Sequence, residues 1–136
     1  MIFSIIIIRK EKGSINMGLD FYIERRRKGE AYSSSAYEVI VCGRNCYNVR
    51  DLVLAHISTY NAETQTAPLT IGTMNELVVW LSNDLRSYNL NDKETFEDAS
   101  YWKLLNWIAQ LSNCIADAII DYADGIEYEY VLVNSY

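Results

Sequence analysis

Leu19, Phe21 and Ile23 alternate with Asp20, Tyr22 and Glu24, the period-two pattern of a strand with one buried face. The basic run Arg25-Arg26-Arg27-Lys28-Gly29 ends that strand in a turn, and Tyr32 to Ser35 reads as a polar loop. Tyr37, Val39 and Val41 then alternate with Glu38, Ile40 and Cys42 in a second strand closed by Gly43. The two are near enough for an antiparallel hairpin with a long connection. After Gly125, Ile126, Tyr128, Tyr130 and Leu132 alternate with Glu127, Glu129 and Val131, which predicts a third strand at the end of the chain.

Between these strands the period changes to that of helices. Asn45 or Asn48 can cap a first helix whose apolar face carries Val49, Leu52, Val53, His56, Ile57 and Tyr60. Asn61 to Thr70, with the only proline, Pro68, reads as a loop. Thr73-Met74-Asn75-Glu76 has the form of a capping box. The helix after it buries Met74, Leu77, Val78, Leu81, Leu85 and Tyr88, and leaves Val79 and Trp80 off the stripe. A third helix from about Thr95 to Asp124 presents Tyr101, Leu104, Leu105, Ile108, Leu111, Ile115, Ile119 and Tyr122 as a continuous apolar stripe. Its far side carries Asn106, Gln110, Asn113, Asp117, Asp121 and Asp124, so Gln110 is expected to tolerate substitution. The order strand-strand-helix-helix-helix-strand predicts a single α+β domain over residues 17–136, a small antiparallel sheet with three helices on one face.

The stretch before Met17 has a different character. Ile5-Ile6-Ile7-Ile8 is followed by the charged Arg9-Lys10-Glu11-Lys12-Gly13, in which the codons for Glu11-Lys12-Gly13 are purine-rich and lie just upstream of a methionine codon, as in a translated ribosome-binding site. Residues 1–16 are therefore expected to be a translated leader or an extension outside the domain. Ile2 to Ile8 is far shorter than the ~20 apolar residues that span a bilayer. It also lacks the flanks of a signal peptide.

At 136 residues the chain is large enough for one core without staples, and with half its residues apolar it is an ordinary globular sequence. Cys42, Cys46 and Cys114 are odd in number, and with His56 alone beside them they lack the paired clusters of a structural zinc site. Reduced thiols in a cytoplasmic protein are the expectation. Charge is unevenly placed. Residues 1–50 hold nine Lys/Arg and five Asp/Glu, net +4, whereas residues 51–136 hold three and thirteen, net −10. An acidic field of that size repels phosphate backbones and membrane surfaces and attracts basic protein surfaces, and it also serves solubility.

Chemistry-bearing motifs are lacking. No GxGxxG, Walker-type, HExxH or GxSxG pattern occurs, and no cofactor is implied. His56 lies on an apolar helical face with no nucleophile or carboxylate dyad at a recognisable spacing. Glu97-Asp98 and Asp117/Asp121 are acid pairs, but hard-cation sites need ligands that converge from a tight loop or several elements. Asp117, Asp121 and Asp124 oppose the dipole at the end of their helix, an arrangement that costs stability and so invites a functional reading.

Met17-Gly18-Leu19-Asp20-Phe21-Tyr22 and Tyr101-Trp102-Lys103-Leu104-Leu105-Asn106-Trp107-Ile108 resemble two segments of a group of small uncharacterised bacteriophage and prophage proteins. That group opens with Met-Gly-Leu-Asp and an aromatic strand, and carries a Tyr-Trp-Arg/Lys-x-x-Asn-x-Ile helix. Its next positions hold His and Trp-Phe, where this chain has Ala109, Gln110 and Leu111. The resemblance implies phage origin and no particular activity.

Two functions follow as expectations. In the first, a non-enzymatic phage protein in the host cytoplasm docks on a basic host surface through Asp117, Asp121, Asp124, Glu127, Glu129 and Trp102. An anti-CRISPR-type inhibitor that occupies a nucleic-acid-binding surface fits this description, with no direct nucleic-acid or membrane contact. In the second, the chain binds or transforms a nucleotide, with Tyr and Trp stacking the base and Arg25–Arg27 holding phosphate.

Overall fold

The computed structural model describes residues 19–29 and 37–135. The expected leader, Met17-Gly18 and the loop at Tyr32 to Ser35 lie outside the described residues. The elements run β1 (Asp20–Arg27), β2 (Tyr37–Arg44), α1 (Tyr47–His56), β3 (Thr66–Leu69), α2 (Ile71–Leu85), a 3-10 turn (Lys93–Glu97), α3 (Ala99–Ala123) and β4 (Tyr128–Ser135). The strands form one antiparallel sheet in the order β2-β1-β4-β3, with the three helices packed on one face. The fold is α+β as expected, with four strands instead of three.

The additional strand, β3, lies in the stretch read as a loop around Pro68. It pairs with β4 at the sheet edge, Ala67 opposite Leu132 and Leu69 opposite Tyr130. Asn134 N–H donates to the Gln65 carbonyl. Backbone groups alternate sides along a strand, so residues 65, 67 and 69 turn theirs to β4 and Pro68 turns its missing N–H outward. Proline is tolerated there and blunts the edge.

A bulge in the β1–β2 pairing corrects the reading of β2 as a single alternation. Ile23 faces Val41 and Glu24 faces Val39, so Ile40 is the extra residue. Val41 stays on the helix side, while Val39 and Tyr37 move to the opposite face. Glu38 is thereby brought opposite Arg25.

Helix boundaries differ from expectation where caps decide them. Thr70, not Thr73, caps α2 by accepting from Thr73 N–H at 3.0 Å, so the expected box at Thr73–Glu76 is already inside the helix. Cys46 occupies the cap position of α1 without a side-chain bond. Asn45, with φ of +54°, instead accepts from Leu19 N–H and ties the helix start to β1. The start of the expected third helix is a separate 3-10 turn, capped by Asp92, and α3 begins after Asp98, which accepts from Ser100 N–H.

The core lies between sheet and helices. Phe21, Ile23, Val41 and Leu132 from the sheet meet Val49, Val53, Leu77, Leu81, Leu104, Trp107 and Leu111. The face that α3 buries is rotated from the predicted stripe. Trp107, Cys114 and Ala118 are inside with Leu104 and Leu111, whereas Ile119 and Tyr122 are exposed. Adjacent helical positions point about 100° apart, so choosing Ile108 and Ile115 over Trp107 and Cys114 turns the helix by one residue. Shape decides the phase. The Trp107 indole stacks on Phe21 at 5.1 Å and lies over Gly43, where a Cβ would stand 2.8 Å from its Nε1.

Gln110, expected on the solvent side, is half-buried and bonded to the sheet. Its Oε1 accepts from Cys42 N–H at 3.0 Å and its Nε2 donates to the Cys42 carbonyl at 2.9 Å. These backbone groups point away from β1, so the side-chain amide stands where a further strand would pair.

Candidate functional site

The basic run of β1 and the acidic C-terminal third, read separately along the sequence, meet in the fold. Arg26 stands opposite Glu129 across the β1–β4 ladder and forms an ion pair with it. Arg25 bridges Glu38 at 2.9 Å and Asp121 at 3.4 Å, with its guanidinium 4.1 Å above the Tyr128 ring. Lys28 lies 3.4 Å from Glu127. Three of the five acidic residues assigned to partner docking are thus neutralised by neighbours. Asp117 and Asp124 are exposed and have no ion pair among the described residues. Arg25 and Arg26, the expected phosphate grip of the second function, are held by carboxylates.

Trp102 is elsewhere. At 1.5 Å rise per residue it lies roughly 22–33 Å along α3 from Asp117 to Asp124, so the structure does not join it to the acidic residues of the helix C-terminus. It belongs to an aromatic cluster at the opposite end of the molecule. Its indole N–H donates to the Phe96 carbonyl at 2.9 Å, its ring meets Tyr101 at 5.1 Å, and Phe96 and Tyr88 pack edge-on against Tyr101. Trp102 remains 48% exposed, Phe96 45% and Leu90 60%. Asp84, Asp92, Glu94, Glu97 and Asp98 lie in the chain segments around these residues, against Arg86, Lys93 and Lys103. Burial, then Asp98 and Asp84, raises the Tyr88 hydroxyl above the usual phenol range, which places both acids near it.

This end is also rigidly built. Asp92 and Asp98 cap successive elements, and Thr95 Oγ1 donates to the Asn89 carbonyl at 2.7 Å. The exposed rings therefore sit on a preformed support, which lowers the ordering cost of binding. Sequence reasoning singled out Trp102 but missed its surroundings. The available signal was the density of aromatic and acidic residues between Asp84 and Trp102.

The remaining candidates serve the fold. His56 stacks on Trp80 at 4.9 Å, and its Nε2 is 3.7 Å from Glu76. Trp80, which lay off the predicted stripe, donates its indole N–H to the Leu52 carbonyl and so clamps α2 to α1. All three cysteines are free thiols; burial pushes Cys46 up to about 11 and Cys114 up to about 12, far from thiolate chemistry at neutral pH. Among the described residues no group of His, Cys, Asp and Glu could hold a metal ion, and no helix is long and apolar enough to cross a membrane. Comparison with known protein families, with curated proteins and with solved structures finds no match for this chain.

Proposed function

We propose that this chain is a phage-encoded, non-enzymatic interaction protein of the host cytoplasm, docking on a basic surface of a host protein. The anchor is Trp102, with Phe96 beside it at 6.3 Å and the carboxylates of residues 84–98 as the acidic complement; Asp117 and Asp124 extend the acidic field along α3. The observation that carries this reading is the exposure of two large rings on a capped support. Rings that served the core alone would be covered, and interface energy concentrates in such aromatic anchors. The phage assignment rests on the resemblance at Met17–Tyr22 and Tyr101–Ile108. A basic surface that binds nucleic acid is the target class, because a negative rim occupies it in place of phosphate, as in an anti-CRISPR-type inhibitor. Arg25 and Arg26, spent on Glu38, Asp121 and Glu129, weigh against the nucleotide-binding alternative.

Affinity capture from the bacterial host tests this. The captured protein should be a nucleic-acid-binding one, released by added duplex DNA or RNA and by salt. Retention of a partner unaffected by nucleic acid would refute the inhibitory mode.

A further inference from the structure

Strand β3 is too short to cover β4. β4 begins at Tyr128, opposite Arg27 of β1, but β3 ends with Leu69 opposite Tyr130. Lys28 N–H donates to the Glu127 carbonyl and Asn134 N–H to the Gln65 carbonyl, which fixes the alternation along β4. Odd-numbered residues turn their backbone groups to β1 and even-numbered ones to β3. Tyr128 therefore turns its N–H and C=O toward the line of β3 at a point where the chain has already entered α2. Neither group has a hydrogen bond among the described residues.

A groove of about 730 Å³ runs along this edge, between the turn from β3 into α2 and the end of α3. Its two lips differ in chemistry, because side chains alternate across a sheet. On the helix side Leu69, Tyr128 and Tyr130 lie under Ala118 and Tyr122 of α3. On the outer side stand Glu127 and Glu129, paired with Lys28 and Arg26 but still 53% and 44% exposed. Solvated pairs of that kind contribute little, so both carboxylates remain open to a further cation.

We infer that this groove binds the amino-terminal end of an extended peptide, added to the sheet in the line of β3, with an apolar first residue and a basic second one. Thr70 is still extended and by the register stands opposite Glu129, so an added strand starts beside it. The first peptide residue then takes the place opposite Tyr128. It donates to the Tyr128 carbonyl and accepts from the Tyr128 N–H, as a hydrogen-bonded pair of an antiparallel ladder does. Its side chain falls on the helix side, among Leu69, Ala118 and Tyr122. The second residue stands opposite Glu127 and points outward, where a lysine or arginine meets that carboxylate. The free ammonium group adds a second positive charge at the acidic lip. Main-chain bonds supply the attachment and the alternation of apolar and basic side chains supplies the selectivity. The site is separate from the aromatic end proposed for partner docking.

The test uses the tetrapeptide Leu-Lys-Val-Lys, amidated at its carboxyl end, in amide-resolved NMR titrations of the full chain. The peptide should move the Tyr128 amide resonance saturably, and Leu-Glu-Val-Glu amide should bind roughly tenfold or more weakly, since it sets like charges opposite Glu127. Tyr128→Pro removes the N–H at the first residue of a strand, where proline is tolerated and no native hydrogen bond is lost. Read at the neighbouring amides, it should weaken the lysine peptide roughly tenfold, whereas Tyr128→Ala, which keeps the N–H, should weaken it less. Absence of a saturable shift at Tyr128, equal binding of the two peptides by the native chain, or undiminished binding by the folded Tyr128→Pro variant would overturn the assignment.

Discussion

Replacing Gln110 tests whether a helix side chain completes the sheet. In the native fold its amide accepts from and donates to the two backbone groups of Cys42, at 3.0 and 2.9 Å, on the outer edge of β2. Each bond contributes about 0.5–1.5 kcal/mol net, so Gln110→Ala should cost about 1–3 kcal/mol, less where water reaches Cys42. Gln110→Leu covers the edge with apolar atoms and excludes that water, so it should cost as much or more. Gln110→Glu keeps the acceptor for Cys42 N–H but sets a carboxylate oxygen against the Cys42 carbonyl. Its folded pKa should be raised by that contact, so the variant should gain stability as pH falls and the acid becomes a donor. Urea unfolding followed by tryptophan fluorescence reads the difference, which for a domain of this size corresponds to about 3–6 °C in Tm per kcal/mol. The freed edge should also promote self-association, visible as concentration-dependent elution on size exclusion. A loss below about 0.5 kcal/mol in both Ala and Leu variants, the range of ordinary surface changes, would refute the reasoning.

Other substitutions follow from the same contacts. Leu104→Ala should cost about 2–5 kcal/mol by calorimetry, and Ile108→Ala less, because Leu104 is fully buried and Ile108 only partly. Gly43→Ala should cost about 1–3 kcal/mol, since its Cβ would stand 2.8 Å from both Cys46 Sγ and Trp107 Nε1. Asp121→Lys should lower stability by about 1 kcal/mol in chemical denaturation: the gain from a cation at the helix C-terminus is outweighed by placing it against Arg25. That reverses the sign expected from the dipole alone, whereas Asp117→Lys should be neutral to slightly stabilising. In a thiol titration at pH 8, Cys42 should react first, and Cys46 and Cys114 only on unfolding, because burial keeps both protonated.

The elements with strong local signals were legible in the sequence. The period-two runs at Leu19–Glu24 and Tyr128–Leu132 and the helical stripes of α1 and α2 carry their burial in their own spacing. Features that depend on distant residues were not. Four-residue β3 has no alternation long enough to detect, and its Pro68 is acceptable only because β4 lies on the other side. The phase of α3 is chosen by Phe21 and Gly43, more than sixty residues before the Trp107 that packs against them. The pairing of Arg25, Arg26 and Lys28 with Asp121, Glu129 and Glu127 also joins opposite ends of the chain. It turns what reads as a free acidic stripe into an internal charge network. Trp102 was visible as a candidate, but Glu97 and Asp98 were read into the start of its helix, whereas they belong to a separate 3-10 turn and the α3 cap.

Partner docking is proposed to run through the aromatic end and not through the helix C-terminus. The affinity of the captured host protein, measured as a function of salt for the native chain, Trp102→Ala and Asp117→Lys with Asp124→Lys, tests it most directly. Trp102→Ala should lose affinity about thirtyfold or more at every salt concentration, the effect of removing an anchor worth about 2 kcal/mol. The paired charge reversal should reduce affinity only a few-fold and mainly at low salt, as screened peripheral charges do. Native affinity in Trp102→Ala together with abolished binding in the charge-reversed chain would contradict it.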